Sequence, residues 1–430
     1  MLILSNARVV LPDRVLERGS VAVDGDRIVD VIEGEFGSVP SGATVLPLDG
    51  STLVPGFIDP HIHGLAGHDV LDGPEVVARV ARVLPRYGVT AFNPTSVACT
   101  PRRLRAFLEA VRRGRGHVPD GARVLAAHLE SNFIEPTCRG AQPAACLRWP
   151  PATIEPSGRA PRDRAGVDRT DRGGDEPTGE FTADDIIDEI DRAAADIGVV
   201  TLAPELPGAL ALIGWLTGRG IRVSVGHTAA TFDETRVAIA AGATRATHLF
   251  NRMPPLHHRA PGAAGALLDA ECVTVEVIGD GHHVHPALIR AVVARKGARR
   301  TMAVTDATAV AALPPGSPGT LGDHAITAGP DVARLADGTM AGSLVTMDAV
   351  FRLMTGAVGL SVVEAAWLCA TTTANEQGRD EQGAVEVGRL ADLVVLDGDY
   401  RVVRTLVGGR VVYAGTGVAA GSSTLPGELE

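Results

Sequence analysis

The residues best suited to chemistry in this 430-residue chain are histidines and carboxylates that close short apolar runs. His61 and His63 end the run Val54-Pro55-Gly56-Phe57-Ile58-Asp59-Pro60-His61-Ile62-His63. On a strand, residues i and i+2 face the same way, so the two imidazoles emerge side by side as a pincer for a metal ion. The pair alone is equally consistent with two ordinary polar histidines. The same kind of ending recurs, however. Val124 to Glu130 ends in a carboxylate, Ile221 to Thr228 carries His227, Arg245 to Asn251 carries His248, and Thr301 to Asp306 ends in Asp306. Any one of these could be a capped turn. As a set they are all ligand or acid–base types, and burying them together is costly unless a cation offsets their charge.

The elements that would position these residues follow from the patterning. From residue 53 to about 306, apolar strand candidates begin near Leu53, Val89, Val124, Val199, Ile221, Arg245, Val273 and Arg300. Helical stretches such as Pro74 to Tyr87, Pro101 to Arg113, Thr182 to Ile197, Thr231 to Ala241 and Pro286 to Arg295 alternate with them. Eight strands in strict alternation predict a parallel (β/α)8 barrel, whose chemistry sits at the C-terminal strand ends. An open doubly wound sheet is disfavoured because no G-x-G-x-x-G follows the first strand. Residues 1–53 and 385–430 instead alternate short Val/Ile runs with Gly and Asp turns, which predicts a small β-sandwich domain built from both termini around a barrel domain at 54–384. Residues 148–180 are rich in Pro, Gly, Arg and Asp. They read as an irregular insertion after the third strand, either a tolerated surface loop or a cover for the barrel mouth. Pro314 to Ala341 reads as an inserted hairpin, followed by helices over Met347 to Val358 and Val362 to Ala374.

A net charge of -11 gives no reason to expect a nucleic-acid surface. The apolar start lacks a basic segment and breaks quickly into polar residues, so it predicts a strand with neither a signal peptide nor a membrane span. The five cysteines include no C-x-x-C pair, which points to a reducing, cytoplasmic setting. Lys296 is the sole lysine.

The runs P-G-F-I-D-x-H-x-H, H-L-E, G-H-T, T-H-L-F-N and V-T-D-A resemble the amidohydrolase superfamily. H-H-R-A-P-G (257–262), D-G-H-H-V-H-P (280–286) and G-T-M-A-G-S (338–343) resemble, more narrowly, the N-acetylglucosamine-6-phosphate deacetylase family. That resemblance implies a barrel with a β-sandwich and a divalent metal held by Glu130, His227 and His248. It also implies a second metal at His61 and His63 with Glu130 bridging, hence one or two ions per chain. Zinc is expected first, while iron and manganese suit the same ligands. Subtypes that bridge two metals with a carboxylated lysine are disfavoured, because the fourth strand ends in Thr201-Leu202-Ala203-Pro204-Glu205 and Lys296 lies in a predicted helix.

The resemblance further implies Asp306 as the catalytic base and a homodimer whose arginine reaches the neighbouring site. It places an N-acetylated amino sugar phosphate against Ala141, Gln142, Asn251, Arg259, His283, Met340 and Ala341. Gln142 stands where the family often has a histidine that donates to the oxyanion. Two departures adjoin the site. H-L-E-G-P-F reads His128-Leu129-Glu130-Ser131-Asn132-Phe133, and F-N-A-M reads Phe250-Asn251-Arg252-Met253, so Arg252 adds a cation. They leave open another substrate, such as N-acetylgalactosamine 6-phosphate or a different anionic N-acyl compound. A deaminase of the superfamily and a non-catalytic scaffold are more distant alternatives.

Overall fold

Nine parallel strand segments form the central sheet of the computed structural model, which describes residues 1–116, 118–154 and 181–415. Two of the segments, Arg123–Val124 and Ala127–Glu130, are halves of one interrupted strand, so the sheet has eight positions. The other seven are Phe57–Ile62, Val89–Ser96, Ile197–Leu202, Arg222–Val225, Ala243–Ala246, Thr274–Ile278 and Thr301–Val304. Each pairs in parallel with its sequence neighbour. A bridge between Ile62 and Ala307 closes the eighth position onto the first. At that seam Asp306 N donates to His61 O at 2.9 Å and Thr305 Oγ1 donates to Asp59 at 2.5 Å. Burial raises the Asp59 carboxyl to about 7. Strands such as Phe57–Ile62 and Thr274–Ile278 are buried along their whole length, as a parallel sheet covered by helices requires.

Two strand limits differ from the sequence expectation. The run near Leu53 does not begin the barrel. Thr52–Pro55 pairs antiparallel with Leu393–Leu396, and the barrel begins only at Phe57. Gly56 separates the two, and a Cβ there would meet the Thr90 side chain at 2.2 Å, so only glycine lets the chain pass from one sheet to the other at this distance. The third strand breaks at Leu125-Ala126, where the Asn93 amide takes the Ala126 carbonyl at 2.6 Å.

Helices at Pro101–Gly116, Ala183–Arg192, Phe232–Ala240 and Pro286–Lys296 fall where the pattern placed them. Reciprocal capping boxes, Thr182 with Asp185 and Thr231 with Glu234, start two of them. Helices at Ala209–Thr217 and Gly262–Asp269 carry no clear stripe, because Ala, Leu and Gly surround the axis. After the eighth strand, Pro318–Leu321 and His324–Ala328 form the expected hairpin, with Ala333–Arg334 as a third short strand. Of the insertion expected at 148–180, residues 155–180 lie outside the described residues. The flanks meet, since Arg148 lies 3.7 Å from the Phe181 ring centroid and donates to its carbonyl at 2.9 Å.

Strands from both ends of the chain share one mixed eight-stranded sheet, with its own apolar cluster around Leu4, Val21, Leu53, Leu393 and Leu406. Arg123 ties this sheet to the barrel through two bonds to Asp392 (2.9 and 3.1 Å), whose oxygens also accept from Gly408 N and Gln382. Among the described residues, no helix is long and apolar enough to cross a membrane.

Candidate metal centre and substrate pocket

The strand ends turn sharply where the site residues stand. His227, His248 and Asp306 each lie two residues past a strand, with φ of 49°, 29° and 50°. Non-glycine residues rarely adopt this left-handed region, and such strain is held in place only where packing over-determines it. Here it turns the three side chains towards one point at the mouth. Gly226 helps, because a Cβ there would meet Thr247 at 2.8 Å and Thr201 at 2.9 Å. The hydroxyls of Thr201, Ser224 and Thr247 bond one another at 2.6–2.7 Å, and His128 Nε2 joins Thr201 at 2.7 Å. His128 is thereby held in the barrel layer and, with burial as the main cause, stays neutral.

Glu130 lies between two histidine pairs. Its Oε1 is 2.9 Å from His227 Nε2 and 2.8 Å from His248 Nε2. On the other side His61 Nε2 lies 3.8 Å from Oε1 and His63 Nε2 lies 3.6 Å from Oε2. Asp306 Oδ1 is 3.2 Å from His63 Nε2 and 3.4 Å from His61 Nε2. The structure therefore brings together every metal-ligating and acid–base residue singled out in the sequence. Two groups of three, His61–His63–Glu130 and Glu130–His227–His248, have ligand atoms close enough for one ion each.

The hydrogen bonds behind the rings test whether a cation fits. His61 Nδ1 meets Glu276 at 2.9 Å, His63 Nδ1 meets Thr95 O at 3.0 Å, and His227 Nδ1 meets Cys138 O at 2.9 Å. All three partners are acceptors, so the hydrogen-bond network assigns the proton to Nδ1 and leaves a lone pair on Nε2. Yet His61 and His63 Nε2 stand 3.2 Å apart, and His227 and His248 Nε2 stand 3.1 Å apart. The facing lone pairs of His61 and His63 need a positive charge between them; His248 Nδ1 has no hydrogen-bond partner among the described residues, so in the second pair that charge is carried by an ion or by a proton on His248. The electrostatics agree. Burial disfavours a charged His248, but the bond to Glu130 and the charges of Glu130 and Asp306 prevail and raise it to about 9. Burial likewise works against an ionised Glu130, yet His227 first, then His248 and His61, hold it well below the usual carboxylate range. The residues fit a divalent metal.

A small pocket, open at the mouth, adjoins this ring. Ala141, Gln142, Asn251, Arg252, His283 and Met340 line it, together with Val97, Ile278, Leu321 and Gly342. Ala341 is buried and does not line it; its neighbour Gly342 does. Arg259 lies on an exposed loop and is absent from the lining. Gln142 accepts from Ala98 N at 2.7 Å and donates to Glu130 Oε2, so one of its amide hydrogens is already committed. His283 is anchored through Nδ1 to Asp280 at 2.6 Å. Glu205 caps a turn by accepting from Thr228 and Ala229 N, at 2.5 and 2.6 Å.

The two departures from the family pattern separate cleanly. Ser131 bonds Thr201 O at 2.6 Å and Asn132 bonds the carbonyls of Cys99 and Cys146 at 2.7 Å; both hold backbone and neither lines the pocket. Arg252 does line it. Its side chain lies across Gly140, with Nε only 2.5 Å from where a Cβ would stand, and among the described residues its guanidinium makes no hydrogen bond or ion pair. Glu276 was not singled out in the sequence. Thr274-Val275-Glu276-Val277-Ile278 looks like an ordinary alternating strand, and a lone carboxylate inside a run this apolar was the one available signal.

The amidohydrolase family model matches residues 52–412. An N-acetylglucosamine-6-phosphate deacetylase of Vibrio furnissii is 33% identical over 402 residues, covering 91% of this chain and 90% of that protein. An N-acetylgalactosamine-6-phosphate deacetylase of Escherichia coli O157:H7 is 32% identical over 391 residues, covering 90% and 93%. Among solved structures, an N-acetyl-D-glucosamine-6-phosphate deacetylase mutant of Mycobacterium smegmatis, in complex with N-acetyl-D-glucosamine-6-phosphate, superimposes with a TM-score of 0.81 at 32% identity. It covers 96% of this chain and 99% of its own.

Proposed function

We infer that this chain, which belongs to the amidohydrolase family and within it to the N-acetylglucosamine-6-phosphate deacetylases, hydrolyses N-acetylglucosamine 6-phosphate to glucosamine 6-phosphate and acetate. The observation that carries the reading is the convergence of His61, His63, Glu130, His227, His248 and Asp306 at the wall of a pocket that also presents a free guanidinium.

Glu130, His227 and His248 would hold the principal ion, and His61 and His63 a second one with Glu130 between them. Bound there, a divalent cation would supply Lewis-acid activation of water, whose pKa it can bring to about 7, and of the acyl carbonyl. Asp306 does the proton work. Burial pushes its carboxyl up, but the neighbouring histidines, His61 first and then His63, outweigh this and keep it below the usual carboxylate range, hence ionised. It takes a proton from the attacking water, whose oxygen bonds the acetyl carbon, and gives it to the amine nitrogen as the C–N bond breaks. Gln142, through the amide hydrogen not spent on Glu130, is the side-chain donor for the carbonyl oxygen. The phosphate falls to Arg252, His283 and Asn251, because a guanidinium fork matches phosphate oxygens. Zinc is the first candidate for the ion. A homodimer in which Arg259 reaches a partner's phosphate, and a cytoplasmic setting for five unpaired cysteines, complete the proposal.

A deacetylation panel tests it: glucosamine, galactosamine and mannosamine N-acetyl derivatives, each with and without the 6-phosphate, followed by amine release. Activity confined to the gluco 6-phosphate supports the reading. The second reading, N-acetylgalactosamine 6-phosphate, has a specific basis in the relative of that name at nearly equal identity, and preference for the galacto epimer would establish it.

A further inference from the structure

Glu276 stands outside every role assigned so far, although it touches a ligand from each histidine pair. It lies on the seventh barrel strand with no exposed surface. Its Oε1 takes both fork nitrogens of Arg245, Nε at 2.8 Å and Nη2 at 2.5 Å. Its Oε2 faces His61 Nδ1 at 2.9 Å and accepts from the His248 backbone N at 3.2 Å. Arg245 is itself fully buried, and its Nη1 reaches Glu376 at 3.4 Å. Glu376 in turn pairs with the half-buried Arg222 at 3.3 Å. Charges of alternating sign, Arg222, Glu376, Arg245 and Glu276, thus run from the barrel's flank to the His61 imidazole.

Packing does not explain this chain of charges. A buried ion pair seldom stabilises a fold more than apolar side chains of the same volume would. Geometry does explain it. Arg245 occupies one oxygen of Glu276 with both nitrogens and so turns the other oxygen onto His61. We propose that Glu276, oriented by Arg245, is a positioning residue that locks His61 with its proton on Nδ1 and aims Nε2 at the ion of the His61–His63–Glu130 group, and thereby sets how tightly that second ion is held. His61, His128 and Glu276 are also close enough to suggest an ion among themselves. However, His61 Nδ1 is bonded to Glu276 and His128 Nε2 to Thr201, so the group serves as a support for the ring. The inference rests on the reading of His61 and His63 as ligands.

The test is metal release. Zinc-loaded full-length chain is challenged with a chelator, and stoichiometry and release rates are followed for wild type and Glu276→Gln. The expected result is release of the second ion faster by about ten- to a hundredfold, with the ion at Glu130–His227–His248 held much as before. Glu276→Gln leaves Arg245 buried without its partner, which by itself can unfold the chain. The double variant Glu276→Gln, Arg245→Met removes that charge and must show the same accelerated release. A folded single or double variant that keeps both ions at wild-type release rates overturns the proposal. The unsubstituted protein supplies a readout free of folding artefacts. In a histidine-labelled sample, the imidazole nitrogen spectrum must contain an exchange-protected Nδ1–H signal that disappears in His61→Asn. A wild-type His61 without that proton overturns the proposal whatever the variants do. Wild-type chain that binds no metal would instead contradict the ligand reading itself, so the two failures are distinguishable.

Discussion

Replacing Asp306 by Asn separates proton transfer from the rest of the site. The backbone at 306 has φ +50°, a region that Asn enters more readily than Ala, so Asn disturbs the turn least. The carboxamide has nearly the shape of the carboxylate and keeps an atom near the position that now lies 3.2 Å from His63 Nε2. What disappears is the proton acceptor. General base and acid assistance is worth about 10² to 10⁴ in rate, or about 3–5 kcal/mol at about 1.4 kcal/mol per decade. The structure predicts a loss of that size in kcat for N-acetylglucosamine 6-phosphate, with KM within about threefold because the pocket's phosphate contacts are untouched. The assay is acetate release at saturating substrate, with metal content measured on the same sample so that loss of base is distinguished from loss of ion. The sign of the pH effect follows from the lowered carboxyl. A carboxylate depressed in the folded state adds stability above its unfolded value, near about pH 4, and that stability is lost as the pH falls through the lower folded value. Asp306 therefore contributes no acid limb to turnover in the neutral range. An Asp306→Asn variant with unchanged metal content and kcat within about threefold of wild type would refute the proton-transfer role.

Arg252→Ala removes a guanidinium that has no partner among the described residues. Loss of one charge-assisted bond of about 1.5–3 kcal/mol predicts a kcat/KM lower by about ten- to a hundredfold for the phosphorylated sugar and little change for the unphosphorylated one; equal loss on both would show that Arg252 shapes the pocket without reading phosphate. Replacing both His61 and His63 by Ala lowers metal stoichiometry towards one ion per chain, measured by elemental analysis; complete loss of metal would place the principal site on that pair. Gly226→Ala forces a methyl against Thr201 and Thr247, with an expected cost of about 1–3 kcal/mol in thermal unfolding of the metal-free chain, and an unchanged midpoint would show that the hydroxyl layer yields freely.

The strand-end histidines and carboxylates were legible in sequence because each follows an apolar run that a parallel barrel must bury, and the barrel puts all such ends at one rim. The backbone that aims them was not legible. Nothing in Gly226-His227 or Thr247-His248 announces a left-handed turn, which arises where the chain leaves a closed sheet. Gln142 lines the pocket, but its bond to Glu130 depends on a loop whose path the residue types do not dictate. Glu276 illustrates the hardest case: its meaning lies in Arg245 and His61, one a strand away and the other 215 residues earlier in the chain. Similarly, Ser131 and Asn132 looked as relevant to substrate as Arg252 until their hydrogen bonds to backbone carbonyls showed that they face away from the pocket. The helix at Ala209–Thr217 escaped because small and apolar residues on every side leave no periodic stripe to read.

One metal-loaded active site is inferred to cleave the acetyl group from a phosphorylated amino sugar. The most direct test is stoichiometric: zinc-loaded chain is incubated with N-acetylglucosamine 6-phosphate, and acetate and free amine are quantified together before and after the metal is stripped. Equal amounts of acetate and glucosamine 6-phosphate are expected, abolished by stripping and restored by zinc. No acetate from this or any other N-acetylhexosamine 6-phosphate, in a chain shown to carry its metal, would contradict it.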